Sequence, residues 1–193
     1  GDFNGDGKTD IFRSDGKKWY VSWNGTKPWE QFNTSQFTVA VLGFGDFDGD
    51  RKTDIFRASS GNWKVVYAGK GKWQDLNTSG FKVDQLRYGD FNGDKKTDVF
   101  RANGKAWFIS YGGKGKWQKL KSSGYSLDNI ALGDFNGDGK TDIFRTDGKK
   151  WYISYNGTKP WQPFNTSQFR VQVLGFGDFN GDGKTDIFRT TKK

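Results

Sequence analysis

The chain has 193 residues, a formal charge of +9 and 18% aromatic residues, and it contains no Cys, His or Met. Disulfides, thiolate chemistry, Ser–His activation of a nucleophile and imidazole metal ligation are therefore excluded. No apolar run approaches the length of a membrane span.

One acidic string organises the sequence. Asp2–Asp10 reads DFNGDGKTD and returns, with small changes, at Asp46–Asp54, Asp90–Asp98, Asp134–Asp142 and Asp178–Asp186, always 44 residues on. Arg13, Arg57, Arg101, Arg145 and Arg189 keep the same step, as do Trp19, Trp63, Trp107 and Trp151, and Trp29, Trp73, Trp117 and Trp161. A period of this size implies a repeat architecture in which each unit buries its apolar face against its neighbours. The chain is then one array over 1–193, with units beginning near 1, 45, 89, 133 and 177, four complete and a fifth partial.

Within the second unit, Val39–Phe44 reads as a short first strand, followed by the acidic loop Asp46–Asp54. Thr53–Arg57 reads as a second strand, Ser59-Ser60-Gly61 as a hairpin turn and Trp63–Tyr67 as a third strand. Trp63, Val65 and Tyr67 share one face of that strand at period two. Gly69–Lys72 is the next turn, Trp73–Leu76 a fourth strand, and Asn77–Gly80 leads onward. Four short strands per repeat with Gly-rich turns predict an all-β fold, a β-propeller of four-stranded blades; a β-solenoid has shorter coils and lacks the regular hairpins. The in-register Trp19, Trp63, Trp107 and Trp151 are expected to pack blade on blade.

The ends of the chain share a segment. The first unit lacks the strand that Val41–Phe44 supplies to the second, and the last stops after its second strand, Thr185–Arg189. Residues 1–44 match 133–176 at 37 of 44 positions. These features point to a trimmed or mature piece of an exported protein and to self-association or strand swapping.

The loops have the composition of a calcium site. Oxygen ligands suit hard cations, and calcium gathers six to eight of them. Asp2, Asn4, Asp6 and Asp10 alternate along the first loop, with the carbonyl of Lys8 between the last two. The corresponding sets are Asp46, Asp48, Asp50, Lys52 and Asp54; Asp90, Asn92, Asp94, Lys96 and Asp98; Asp134, Asn136, Asp138, Lys140 and Asp142; and Asp178, Asn180, Asp182, Lys184 and Asp186. Position 12 is Arg13 rather than the bidentate Glu of an EF-hand, and a strand follows. Gly7, Gly139 and Gly183 occupy the sharp-turn position, where Arg51 and Lys95 stand in loops two and three and must tolerate a left-handed backbone. Loop two adds a fourth carboxylate, Asp48, while loop three combines Asn92 with Lys95 and reads as the weakest.

These features resemble the FG-GAP/VCBS-type repeats of integrin α-subunit propellers and many exported bacterial proteins; Phe44-Gly45 and Phe176-Gly177 supply an FG pair ahead of the loop. The resemblance implies a β-propeller whose loop-bound Ca2+ braces the structure. Unit length and tryptophan content are also similar to those of fungal and bacterial propeller lectins.

The expected function is therefore a calcium-stabilised, glycan-binding or adhesive module outside the cell, with Trp29, Trp73, Trp117 and Trp161 as candidate sugar platforms beside Asn33, Asn77, Lys121 and Asn165. Sixteen of the 22 acids lie in the loops, so the remaining surface is basic and anionic glycans are candidate partners. The alternative is a purely structural scaffold or accessory domain, or an engineered or fragmentary repeat array, without a ligand of its own. Catalysis is not expected, since the best-placed carboxylates belong to the loops and no unit breaks the pattern. Nucleic-acid binding is disfavoured because the basic residues form no clustered run.

Overall fold

The computed structural model describes residues 1–59 and 61–189, so Ser60 of the expected hairpin turn lies outside the described residues. Strands β1 (Ile11–Ser14), β2 (Lys18–Ser22) and β3 (Glu30–Thr34) form a three-stranded sheet. β4 (Gly43–Gly45), β5 (Asp54–Ser59), β6 (Asn62–Val66) and β7 (Gln74–Thr78) form a four-stranded sheet in chain order. The pattern repeats in β8 (Arg87–Gly89), β9 (Asp98–Ala102), β10 (Ala106–Ser110) and β11 (Gln118–Ser122). It recurs in β12 (Ile130–Gly133), β13 (Asp142–Thr146), β14 (Lys150–Ser154) and β15 (Gln162–Thr166), and ends with the pair β16 (Gly175–Gly177) and β17 (Asp186–Phe188).

Each sheet is an antiparallel meander, the blade of a β-propeller. As the sequence implies, the first blade has three strands and the last two among the described residues. Helical structure among the described residues is confined to three-residue 3₁₀ turns, and no helix is long and apolar enough to cross a membrane.

Strand boundaries depart from the sequence reading in all four strands of the second repeat unit; the second runs Asp54–Ser59 rather than Thr53–Arg57 and takes Ser59 out of the expected turn. Val39–Val41 is a 3₁₀ turn rather than strand, closed by Val41 N–H to Thr38 O at 3.1 Å and Leu42 N–H to Val39 O at 3.1 Å. This segment carries the chain from the last strand of one blade to the first of the next and leaves Val39 and Val41 exposed, so no burial selects an extended form. The strand itself starts at Gly43, where the Tyr88 ring passes so close that an added Cβ would meet it at 2.5 Å. The third strand stops at Val66, because Tyr67–Gly69 turns away with Ala68 at φ 47°. The fourth begins at Gln74 and carries Asn77 and Thr78 as strand residues.

The chain divides into two compact units, one of residues 1–88, 95–97 and 111–115, the other of residues 89–94, 98–110 and 116–193. In the first, Phe3, Trp19, Val21, Leu42 and Ile55 form a core joined by Phe12, Phe37, Phe44 and Trp73. In the second, Phe135, Phe144 and Ile153 are packed by Trp151, Leu174, Phe176 and Ile187. Trp19, Trp63 and Trp107 are wholly buried, as core packing requires, while Trp151 is half-buried. Their indole N–H groups keep one bond through the repeats, donated by Trp19 to Phe37 O (2.8 Å), Trp63 to Phe81 O (3.2 Å), Trp107 to Tyr125 O (3.0 Å) and Trp151 to Phe169 O (3.1 Å). A buried indole needs such an acceptor, so the ring locks the connecting segment beside it.

Candidate functional site

Two edges of the blades carry polar chemistry. The first holds the acidic loops. Asp2 Oδ1 accepts from Gly5 N–H at 2.7 Å and Oδ2 from Gly7 N–H at 2.8 Å. Asp46 does the same with Gly49 (2.6 Å) and Arg51 (2.8 Å), and Asp134 with Gly137 (2.7 Å) and Gly139 (2.8 Å). Asn4 accepts from Asp6 N–H (3.0 Å) and Asp6 from Lys8 N–H (2.9 Å), so alternate side chains fold over one winding of backbone. Arg51 and Lys95 adopt φ 69° and 66°, the left-handed backbone expected of the position.

The last acid of each loop has a distinct place. Asp54 is buried, with Oδ2 accepting from Phe47 N–H (2.7 Å) and Oδ1 from Ala68 N–H (2.7 Å). Asp10 bridges Phe3 and Asn24, and Asp142 bridges Phe135 and Asn156, in the same way. This carboxylate ties the loop to the turn after the third strand, a role that the ligand spacing did not disclose. Burial pushes the Asp54 carboxyl up to about 7 despite the two amide bonds that favour its charge, and Asp142 is pushed up for the same reason.

Asp46, Asp48 and Asp50 each bring one oxygen within 4.8 Å of the others, an acidic cluster from which Asp54 stands apart. Calcium–oxygen distances of about 2.3–2.6 Å put opposed ligands about 5 Å apart, so this trio fits one ion. In loops one and four the Asn donates its amide to the neighbouring carboxylate, Asn4 to Asp6 at 3.3 Å and Asn136 to Asp138 at 3.1 Å. Asp48 has no such donor, and Asp50 Oδ2 instead faces Lys52 Nζ at 3.5 Å. Burial, followed by the charges of Asp50 and Asp46, holds Asp48 above the ordinary carboxylate range against the Asp50 amide bond.

Successive loops are clasped together. Thr97 donates its N–H to Asp46 O at 2.5 Å and accepts Asp46 N–H on its hydroxyl at 2.8 Å, so the first acid of loop two is gripped through its own main chain. The amides of Thr53, Thr141 and Thr185 reach Asp2, Asp90 and Asp134 at 2.5, 2.6 and 2.6 Å.

The second edge holds clefts between the 3₁₀ turns and the turn joining the second and third strands. In the first unit, Ala40, Val41, Ala58, Ser59, Lys82, Val83 and Asp84 enclose about 350 Å3. In the second unit, two repeat lengths on, Asn129, Thr146, Asp147, Gly148, Arg170, Val171 and Gln172 enclose about 140 Å3. Asp147 is largely committed, accepting from Lys149 N–H (2.8 Å), Lys150 N–H (2.7 Å) and Tyr152 O–H (3.0 Å), which holds its pKa low.

The candidate sugar platforms lie elsewhere. Trp73 packs edge-on against Trp19 (5.7 Å) and Phe37 (5.8 Å), and Trp161 against Trp107 (5.8 Å) and Tyr125 (5.7 Å). Arg57 lies over Phe37 (4.1 Å) and Trp73 (5.4 Å), Arg101 over Phe108 and Trp117, and Arg145 among Tyr125, Tyr152 and Trp161. Trp29, 45% exposed, stands over Arg13 at 5.0 Å. Asn33 Nδ2 donates to Gly69 O (3.1 Å) and Gly71 O (3.2 Å), and Asn77 to Gly113 O (3.0 Å) and Gly115 O (3.2 Å). Lys121 takes over this clasp with a bond to Lys159 O at 2.6 Å. The two clefts, which no single stretch of sequence encodes, were missed by sequence reasoning; the repeat offset of their lining residues is the signal that finds them.

Blades of this topology with an acidic loop between the first two strands define a repeat propeller. The chain belongs to the FG-GAP-like repeat family, whose profile matches residues 2–56, 46–100, 90–145 and 134–188. No curated protein sequence matches the chain. Among solved structures, it is similar to an Agrocybe aegerita lectin described as recognising non-reducing terminal N-acetylglucosamine (TM-score 0.67, 18% identity), spanning 96% of this chain and 58% of the lectin. It is also similar to the Photorhabdus luminescens Tc holotoxin pore (TM-score 0.68, 15% identity), over 96% of this chain and 10% of that one.

Proposed function

We propose that the chain is a calcium-braced, non-catalytic propeller module that binds glycans outside the cell. The observation that carries the reading is the pair of equivalent clefts, each combining main-chain turns, hydroxyl or carboxylate groups and a single cationic side chain. Each cleft is lined by one cationic and one acidic side chain, Lys82 and Asp84 in the first unit and Arg170 and Asp147 in the second. Such a lining favours a neutral, hydroxyl-rich ligand over the anionic glycans suggested by net charge. Likeness to a propeller lectin supports the same class of ligand, and a family of generally calcium-binding repeats supports the ion.

Asp46, Asp48 and Asp50 would hold the ion most firmly, and Asp2, Asn4 and Asp6 with their equivalents would hold the others. When bound, calcium neutralises the crowded carboxylates and fixes the loop. The protein's own groups already pre-form the winding through amide bonds, with Asp54 and its equivalents tying it to the core. Exposed Phe179 and Phe188, whose counterparts Phe47 and Phe56 are buried, support self-association, which light scattering measures directly.

A glycan array with and without chelator tests the reading. Binding that weakens in chelator is the expected result, and no binding to any glycan at high protein concentration would leave the scaffold reading standing.

A further inference from the structure

The bonds that clasp one loop to the next start from the ligand positions themselves. Thr53 follows Lys52, whose carbonyl stands at the main-chain ligand position of loop two. A peptide unit is planar and trans, so its C=O and N–H point to opposite sides. The unit joining Lys52 to Thr53 therefore carries a loop-two oxygen on one side and, on the other, the amide that donates to Asp2 O at 2.5 Å. Asp2 is the first acid of loop one.

Other contacts follow the same route. Thr97, the corresponding residue of loop three, holds Asp46 by both main-chain groups: its amide donates to Asp46 O (2.5 Å) and its hydroxyl accepts from Asp46 N–H (2.8 Å). The Thr97 side chain lies so near Gly45 that an added Cβ would meet Oγ1 and Cγ2 at 2.6 Å. The stems of Lys52 and Lys96 cover Gly5 and Gly49, each about 3.3 Å from where a Cβ would stand. In the second compact unit, Thr185 N–H donates to Asp134 O at 2.6 Å, with its side chain against Gly133 and the Lys184 stem over Gly137. No threonine belongs to a ligand set, yet each fixes the residue that opens the preceding set.

Filling loop two would fix and polarise the Lys52–Thr53 peptide. A peptide whose carbonyl is engaged donates more strongly through its N–H, because linked polar groups polarise one another. The main chain of Asp2 is then held in place, and part of the ordering cost of loop one is already met. Charge alone acts the other way, since a cation in one loop repels a second nearby.

Resting on the calcium reading above, we propose that Thr53, Thr97 and Thr185 are positioning residues that couple neighbouring loops, so that occupancy of one loop raises the calcium affinity of the loop before it. Loop two carries the extra carboxylate Asp48 and fills first, so loop one of the wild type binds beside an occupied neighbour.

Calcium titrations followed by amide NMR resolve the two loops, Gly5 and Gly7 reporting loop one and Gly49 and Arg51 loop two. Asp50→Ala, at an exposed position, disables loop two and should raise the calcium concentration at which Gly7 shifts by at least about fivefold. The sign separates the clasp from the field. The emptied variant loop has lost one negative charge, whereas the filled wild-type loop has gained two positive ones, so charge alone would tighten loop one in the variant. Thr97→Val keeps the side-chain shape but removes the acceptor of Asp46 N–H, and should weaken loop two by at least about threefold. Thr97→Ser keeps the hydroxyl and should restore the wild-type affinity. Melting midpoints no lower than that of the wild type in chelator would verify that the fold is retained. A loop-one midpoint unchanged or lower in Asp50→Ala, or wild-type affinity of loop two in Thr97→Val, would overturn the coupling and leave calcium binding intact. No shift at any loop glycine in millimolar calcium would overturn the calcium reading itself and this inference with it.

Discussion

The loop edge and the cleft edge of the blades have diverged to different degrees. Along the loop edge the same bonds recur from repeat to repeat, down to the Thr amide that grips the first acid of the preceding loop. Along the cleft edge, five of six paired lining positions differ between the two units. Even the near-identical segments 1–44 and 133–176 place three of their seven differences at cleft positions, Ser14/Thr146, Thr38/Arg170 and Ala40/Gln172. One edge is bound by what holds any blade together, and the other is free to vary because its side chains support little else. This contrast separates a constrained edge from a variable one inside a single sequence.

The contrast is broken most severely by removing a buried loop acid. Asp54→Ala strips the acceptors from two buried amides, those of Phe47 and Ala68. At about 1–3 kcal/mol for each of the two stranded donors, the expected loss is roughly 2–6 kcal/mol in urea unfolding. Ser59→Ala on the cleft edge should change stability by no more than about 0.5 kcal/mol. Comparable losses at the two sites would erase the distinction.

Calcium should act on one edge only. At a concentration a hundredfold above its dissociation constant, an ion bound to a single loop adds about 2.7 kcal/mol of stability. Asp48→Asn removes one of the three clustered carboxylates and should lower the affinity of loop two toward that of its neighbours. In chelator, stability should also depend on pH. Asp54 has its carboxyl raised from 3.8 to about 7, chiefly by burial, so the folded state holds its proton more tightly than the unfolded chain. Stability then falls as pH rises from about 4 to 7 and levels off above. Saturating calcium should flatten that slope, and a midpoint insensitive to both calcium and pH would reject the ligand assignment.

Much of the loop edge was legible in the sequence, and almost none of the cleft edge. Spacing alone placed Asp46, Asp48 and Asp50 on one winding and put Arg51 and Lys95 in a left-handed conformation, because a tight loop leaves few ways to aim alternate oxygens at one point. The 44-residue step of the tryptophans marked Trp19, Trp63 and Trp107 as core. The Val39–Val41 turn was not legible, since three apolar residues before a glycine look the same in a strand and in an exposed connection. Nor was the double bond of Asp54, whose amide partners lie 7 and 14 residues away. The clefts escape for a further reason: each is assembled from three turns belonging to two repeats, and no local pattern spans them.

Tyr88 sharpens the comparison on the first strand of a blade, where neither edge has a claim. Its counterparts are Phe44, Leu132 and Phe176, and its hydroxyl is buried without a hydrogen-bond partner beside Gly43. Burial accordingly raises its pKa. Tyr88→Phe should raise stability by about 1 kcal/mol in urea unfolding, since an unmet polar group is removed while the ring contacts with Phe47 and Phe56 remain. A loss would mean that the hydroxyl is satisfied.

The smallest effect tests whether the loop edge is as uniform as its bonds suggest. Arg51 and Lys95 hold φ 69° and 66° where Gly7, Gly139 and Gly183 hold 80°, 79° and 81°. A left-handed backbone costs a residue with a Cβ about 1–2 kcal/mol, and glycine recovers most of that while losing some through its greater freedom when unfolded. Arg51→Gly and Lys95→Gly should each gain roughly 0.5–1 kcal/mol in chelator. Each also removes a positive charge beside the acids, so calcium affinity should rise in both loops. Ala68→Gly, at φ 47° in the turn held by Asp54, relieves the same conformation at a distance from the acidic trio. It should therefore gain stability without a comparable change in ion affinity. If Arg51→Gly and Ala68→Gly shift calcium binding equally, backbone strain rather than charge sets the difference among loops.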